Sequence, residues 1–256
     1  MQRTGSTNDD ARARALGGDP GRLWIVAKEQ VAGRGRMGRV WSSPPGNLYA
    51  SALLIDPAPA ARLAEIGFVA GVALREAAHD IAADLGANAE TADLRLKWPN
   101  DLVFRGAKLA GLLAESMRLD NGGMACVVGF GVNCRHAPEG LSYPTGDLSA
   151  ILGADAPPER LLSRLVRRFD EALRQWDAGA GFAAIRARWL AGAAGLGGPI
   201  RVGRPQGPLT GAFEGIDRNG RLVVRTPDGA ATIEAGDVFL LDYPSGATPE
   251  ERKAAD

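Results

Sequence analysis

Leu94-Arg95-Leu96-Lys97-Trp98-Pro99-Asn100-Asp101-Leu102-Val103-Phe104-Arg105-Gly106, running on to Lys108-Leu109-Ala110-Gly111, is the stretch that decides the fold class. Apolar and polar residues alternate from Leu94 to Trp98, the period-2 pattern of a strand. Pro99 breaks it, and Asp101-Leu102-Val103-Phe104 begins another. Arg105-Gly106 reads as a tight hairpin turn into a strand from Lys108 to Leu119. A second turn, Asp120-Asn121-Gly122-Gly123, leads to a strand from Met124 to Asn133. Strands joined by turns this short run antiparallel, because a parallel pair needs a long crossover. The expectation is an α+β fold with a mixed, largely antiparallel sheet flanked by helices, not a doubly wound one.

The flanking segments fill in this outline. Ser6-Thr7-Asn8-Asp9-Asp10 predicts a helix start, with Ser6 or Thr7 as cap and Gly17-Gly18 as the stop. Leu23 to Ala27 and Asn47 to Ile55 predict buried strands, and Ala60 to Leu85 a long helix ended by Gly86. Residues 134–147 form a polar loop containing Pro and Gly, a length that usually serves function or is disordered. Helices follow over Pro157 to Trp176 and Phe182 to Leu190. After Gly195 the pattern changes to short strands with turns at Gly207-Pro208, Asn219-Gly220 and Asp228-Gly229, the outline of a small β-barrel. The expected division is a ligand-binding domain over 1–195, a barrel over 196–244 and a disordered tail over 245–256.

Bulk composition excludes several classes. Lys+Arg and Asp+Glu both number 30, so the formal net charge is zero and any affinity for nucleic acid or acidic membrane must be local. Cys126 and Cys134 fit a reducing compartment better than a disulfide framework, and they are too few for a zinc site. The N-terminus lacks the apolar run of a secretory signal, and no helix is apolar enough to span a bilayer. A cytoplasmic location is expected.

Three strings carry chemistry. In Gly33-Arg34-Gly35-Arg36-Met37-Gly38-Arg39, closed by Trp41 and preceded by Gln30, glycines let backbone N–H groups line an anion site while arginines add paired donors. Such a loop suits a ligand with a carboxylate and a phosphate; a solvated basic loop is the plainer reading. Lys97-Trp98-Pro99-Asn100-Asp101 is brought by the hairpin beside Lys108, a set suited to a phosphate with its magnesium, or alternatively to a turn around a buried Trp. Gly129-Phe130-Gly131-Val132-Asn133 allows close approach of a flat ligand, and Asn133 can pair with an adenine edge.

In this order and spacing, with Ser6-Thr7-Asn8 ahead, the strings closely resemble the catalytic domain of biotin protein ligases, and the resemblance runs from about residue 4 to about 243. It implies a class II aminoacyl-tRNA synthetase/biotin ligase-like fold with an SH3-like C-terminal barrel. It also implies ATP-dependent formation of biotinyl-5′-AMP and transfer of biotin to a lysine of a biotin carboxyl carrier protein. The implied biotin contacts are Ser6, Thr7, Asn8, Gln30, Arg34, Gly35, Arg36 and Lys108. The nucleotide contacts are Arg34, Arg36, Arg39, Trp41, Lys97, Asn100, Asp101, Lys108 and Asn133. Arg36, Lys108, Arg34 and Lys97 carry the chemistry, and Asp101 is the implied magnesium ligand, directly or through water. Few residues precede Ser6, so a monofunctional member without a DNA-binding helix-turn-helix is expected, and the strand leading into Ser-Thr-Asn looks shortened. Met37 stands where some members carry another arginine. Family members include monomers and dimers, which leaves a homodimer open. The competing readings are a lipoate or other acyl ligase of the same fold, and a nucleic-acid-binding protein using the Gly-Arg loop.

Overall fold

In the computed structural model, which describes residues 1–86 and 93–242, the chain begins with β1 (Arg3–Thr4), α1 (Thr7–Leu16), β2 (Leu23–Ala27), β3 (Glu29–Gln30) and β4 (Leu48–Ile55). A 3₁₀ turn over Ala60–Glu65 leads into α2 (Ile66–Asp84). The strands β5 (Leu94–Lys97), β6 (Asp101–Phe104), β7 (Ala107–Arg118) and β8 (Met124–Val132) follow, then the helices α3 (Leu148–Leu152), α4 (Pro158–Trp176) and α5 (Phe182–Ala191). Five strands close the described chain: β9 (Pro199–Gly203), β10 (Leu209–Ile216), β11 (Leu222–Thr226), β12 (Gly229–Ile233) and β13 (Asp237–Leu240).

The hairpin reading holds. Arg105 and Gly106 both take positive φ, 46° and 82°, the left-handed pair that a two-residue hairpin loop requires. The central sheet has the order β2-β4-β8-β7-β6-β5, and every neighbouring pair in it is antiparallel. The parallel component is small and separate: β1 pairs with β3 over two residues, so the strand leading into Ser-Thr-Asn is present but short.

Burial explains why β4 and β8 read as almost continuous apolar runs. Leu48, Ala50, Ala52 and Leu54 of β4, with Cys126, Val128, Phe130 and Val132 of β8, pack into the main core with α2, α4 and α5. The intervening residues Leu53, Ala125 and Val127 face the other way, onto Ala11 and Ala15 of α1. A sheet covered on both faces has no polar face to show. Trp24, Phe130 and Phe169 meet at ring separations of 5.4 to 5.7 Å and tie β2 and β8 to α4.

The C-terminal residues depart from expectation. The closed SH3-like barrel is not formed: the strands hydrogen-bond in the order β12-β11-β10-β9-β13, with no ladder joining β12 to β13. The turns sit where the sequence placed them, and a bulge at Phe213/Gly215 bends β10. Closure is unnecessary because the inner face, including Ile200, Val202, Phe213 and Val224, belongs to the same core as the central sheet. Trp98 Nε1 donates to Gly220 O at 3.3 Å, and Arg186 donates to Ile216 O at 2.7 Å across this join. The expected tail from Ser245 lies outside the described residues. Two smaller differences concern helices: Ser6 occupies the N-cap of α1 without a side-chain capping bond, and α3 was not anticipated.

Removing the Phe169 ring leaves a hole between α4 and the rings of Trp24 on β2 and Phe130 on β8. Phe169→Ala should lower unfolding stability by about 3–5 kcal/mol in urea titration; a loss below about 1 kcal/mol would contradict the packing described.

Candidate active site

A cavity of about 460 Å³ opens on the α1 side of the central sheet. Its floor is unusually bare. Gly111 of β7 and Gly129 and Gly131 of β8 project no side chain there, and the space is needed. A Cβ at Gly129 would lie 2.4 Å from Asn8 Oδ1, and one at Gly131 2.5 Å from Trp41 Nε1. The flat group that approaches Gly131 is therefore the chain's own indole.

Part of the cavity lining is polar and largely uncharged. Gln30 Oε1 accepts from the Thr7 N–H at 2.9 Å and from the Thr7 hydroxyl at 3.1 Å. It thereby satisfies one of the free N–H groups at the start of α1. Ser51 Oγ lies 2.7 Å from both Thr7 Oγ1 and Asn8 Oδ1, and Asn8 Nδ2 donates to Glu115 at 2.7 Å. Gln30 Nε2 donates to Ser43, whose hydroxyl donates to Trp41 O. This chain of bonds sets the orientation of each amide, as a partly buried network must.

Five cationic side chains also line the cavity. Residues 33–41 fold back on themselves through Gly35 N–H to Arg39 O and Trp41 N–H to Gly33 O bonds, with Met37 in the left-handed region at φ 57°. Arg34 makes a two-pronged pair with Asp9 at 2.6 Å, which holds the Asp9 carboxyl below the usual carboxylate range. Arg36 reaches Asn100 Oδ1 at 3.4 Å, Gly236 O, and Asp237 at 3.9 Å. Arg39 also binds Asp237, whose carboxyl it holds low. Lys97 Nζ lies 3.3 Å from Asp101 and donates to Val238 O. Lys108 Nζ lies 2.7 Å from Asp101 Oδ1, close enough for an ion pair but not aligned as a hydrogen bond, so that oxygen keeps an open lone pair. The Trp41 N–H is likewise buried without a partner among the described residues. An orphaned donor in the cavity costs free energy that a bound ligand would recover.

Every site residue singled out in the sequence lines this cavity except Asn133. Asn133 is buried elsewhere: its Nδ2 donates to Gly146 O at 3.0 Å and its backbone bonds Leu109 and Leu148. It anchors the 134–147 loop rather than facing the cavity. Sequence reasoning missed Ser51, Tyr143 and Gly236 to Phe239. Ser51 was legible as a lone hydroxyl in an apolar strand; the others sit far along the chain and carry no local signal.

The profile of the Biotin/lipoate A/B protein ligase family matches residues 2–133, and that of the Biotin protein ligase C terminal domain matches 195–241. The biotin–[acetyl-CoA-carboxylase] ligase of Paracoccus denitrificans is 40% identical over 94% of this chain and 99% of its own length. The chain belongs to the biotin protein ligase family. A second member, the biotin–[acetyl-CoA-carboxylase] ligase of Mycobacterium tuberculosis, is 34% identical over 94% of the chain and 88% of its own. Among solved members, the biotin protein ligase from Aquifex aeolicus in complex with biotin and ATP superposes with a TM-score of 0.78 at 27% identity, covering 94% of this chain and 96% of that one.

Asp9 and Asp237 titrate below their ordinary 3.8 because arginines bond them. Such pairs contribute fully above that value and are lost as pH falls through the lowered folded values. Amide exchange over residues 33–41, corrected for intrinsic rates, should therefore be constant from about pH 7 to 5 and rise only below about pH 4. Loss of protection by pH 6 would contradict the pairing.

Proposed function

We infer that this chain activates biotin with ATP as biotinyl-5′-AMP and then transfers biotin to one lysine of a biotin carboxyl carrier protein. The observation that carries the reading is the lining of a single cavity, in which neutral hydrogen-bonding groups and five cationic side chains face the same space. Thr7, Asn8 and Gln30 suit a ureido ring, which is polar and uncharged. Arg34, Arg36, Arg39, Lys97 and Lys108 suit a carboxylate meeting a triphosphate.

On this reading a biotin carboxylate oxygen attacks the α-phosphorus in line, and the bond to pyrophosphate breaks. The carrier's ε-amine then attacks the acyl carbon of the mixed anhydride and AMP leaves. Neither step needs an enzyme nucleophile. Both need repulsion between anions offset in a site closed to water. Each charge-assisted hydrogen bond contributes roughly 1.5–3 kcal/mol. Arg34 and Arg39 are held by Asp9 and Asp237 before ligands arrive, so binding exchanges a protein carboxylate for a substrate oxygen. Trp41 offers its unpaired N–H to the nucleotide. Among the described residues no group of three or more His, Cys, Asp or Glu is gathered. Asp101 would be the carboxylate that holds a magnesium ion brought with ATP, and the ion would supply positive charge to offset the phosphates.

We divide the chain into a catalytic domain over 1–195 and a C-terminal sheet after it that supplies Asp237 to Phe239 to the cavity rim. The carrier docks beside an exposed strand edge, as extended partners commonly do. Among the described residues no helix is long and apolar enough to cross a membrane. Cys126 and Cys134 are free, and burial pushes both thiols up to about 12. Unreactive free thiols accord with a cytoplasmic place.

Pyrophosphate release with ATP and magnesium should require biotin and not respond to lipoate; release driven equally by lipoate would overturn the reading. Lys108→Ala should cut that release by about 10²–10³-fold, the usual cost of a lost transition-state donor, with the melting temperature nearly unchanged. Near-normal release would remove Lys108 from the site. Arg36→Gly should let the adenylate escape and label bystander lysines; retention of the adenylate by that variant would mean that Arg36 does not grip its phosphate.

A further inference from the structure

Lysine occurs in this chain at positions 28, 97, 108 and 253 only, against arginine elsewhere. Asp101 pairs with the Lys108 ammonium from one side at 2.7 Å, but a compact charge on a flexible stem also needs its direction set from the others. We propose that Tyr143 is a positioning residue whose ring, together with Trp41, holds the Lys108 ammonium at the cavity floor.

Two rings lie within cation–π reach of Lys108 Nζ, Trp41 at 5.4 Å and Tyr143 at 5.7 Å. Trp41 is set by the floor, since a Cβ at Gly111 would lie 3.2 Å from its ring and 3.5 Å from Lys108 Nζ. Tyr143 is set by the lysine's own backbone. Lys108 N–H donates to Pro144 O at 2.9 Å, Gly146 N–H donates to Lys108 O at 3.1 Å, and Lys108 and Thr145 form a parallel bridge. Thr145 and Asn133 pin the same segment through Pro138 O and Gly146 O. The ring and the ammonium therefore share one local ladder and keep their register.

The contact is through the ring face. Among the described residues no hydrogen bond engages the Tyr143 hydroxyl, and burial raises its pKa, so the phenol stays neutral near pH 7. The side chain is 45% exposed at the cavity mouth, which is no place for a residue serving the core.

This inference rests on Lys108 acting in adenylation, and the experiment separates the two. Tyr143→Ala should lower kcat for biotin-dependent pyrophosphate release by about 2- to 30-fold, the range of one cation–π contact, with KM for biotin within about twofold. Tyr143→Phe should restore it. In a Lys108→Ala background, Tyr143→Ala should add no further loss. Independently of activity, ¹³C-dimethylated Lys108 should give an upfield, ring-shifted signal that moves downfield in Tyr143→Ala and stays in Tyr143→Phe. Tyr143→Phe failing like Tyr143→Ala, an unaltered Tyr143→Ala enzyme, or an unshifted Lys108 signal would each overturn the proposal. A wild-type protein that releases no pyrophosphate but keeps the ring shift would instead overturn the adenylation reading alone.

Discussion

The cavity exists because one face of the central sheet carries no side chains where it is needed. Gly111, Gly129 and Gly131 lie on neighbouring strands of that face, and a Cβ at 129 or 131 would collide with Asn8 or Trp41. The opposite face of the same strands is densely filled, by Phe130, Val128 and Val132 against α2 and α4. Alternation along β8 thus performs two tasks at once, anchoring the sheet on one side and clearing room on the other. The rest of the site is arranged around that clearing. Trp41 lies across it, and the Gly-Arg loop and Lys108 border it.

Gathering five cations round one small volume is costly unless their charge is offset. Asp9, Asp101 and Asp237 do this among the described residues that line or adjoin the cavity. None of these pairs is deeply buried at both ends, so each can open in exchange for a substrate oxygen without stranding a charge. Asp237 shows how far the arrangement reaches. It lies about two hundred residues from the arginines it binds, on a strand whose sheet is held against the main core.

Much of the fold was legible because its signals are local. The positive-φ turn at Arg105-Gly106, the stops at Gly17 and Gly86 and the alternation from Leu94 to Trp98 depend on a few neighbouring residues. Barrel closure was not legible, since it depends on whether β12 meets β13 and not on either strand's composition. Most of the site was legible as glycine and charge in unusual strings. Asn133 was not, because an asparagine after a Gly-x-Gly reads the same whether it faces a ligand or a loop carbonyl.

The amino-acid sequence by itself determined most of the elements, their antiparallel joining and the family, for turn chemistry and motif spacing are properties of short segments. Only the tertiary structure decided which carboxylate each arginine holds, that the C-terminal sheet stays open, and that Tyr143 stands over Lys108. Those outcomes follow from pairing between distant segments, where several partners of equal local merit compete and packing selects one.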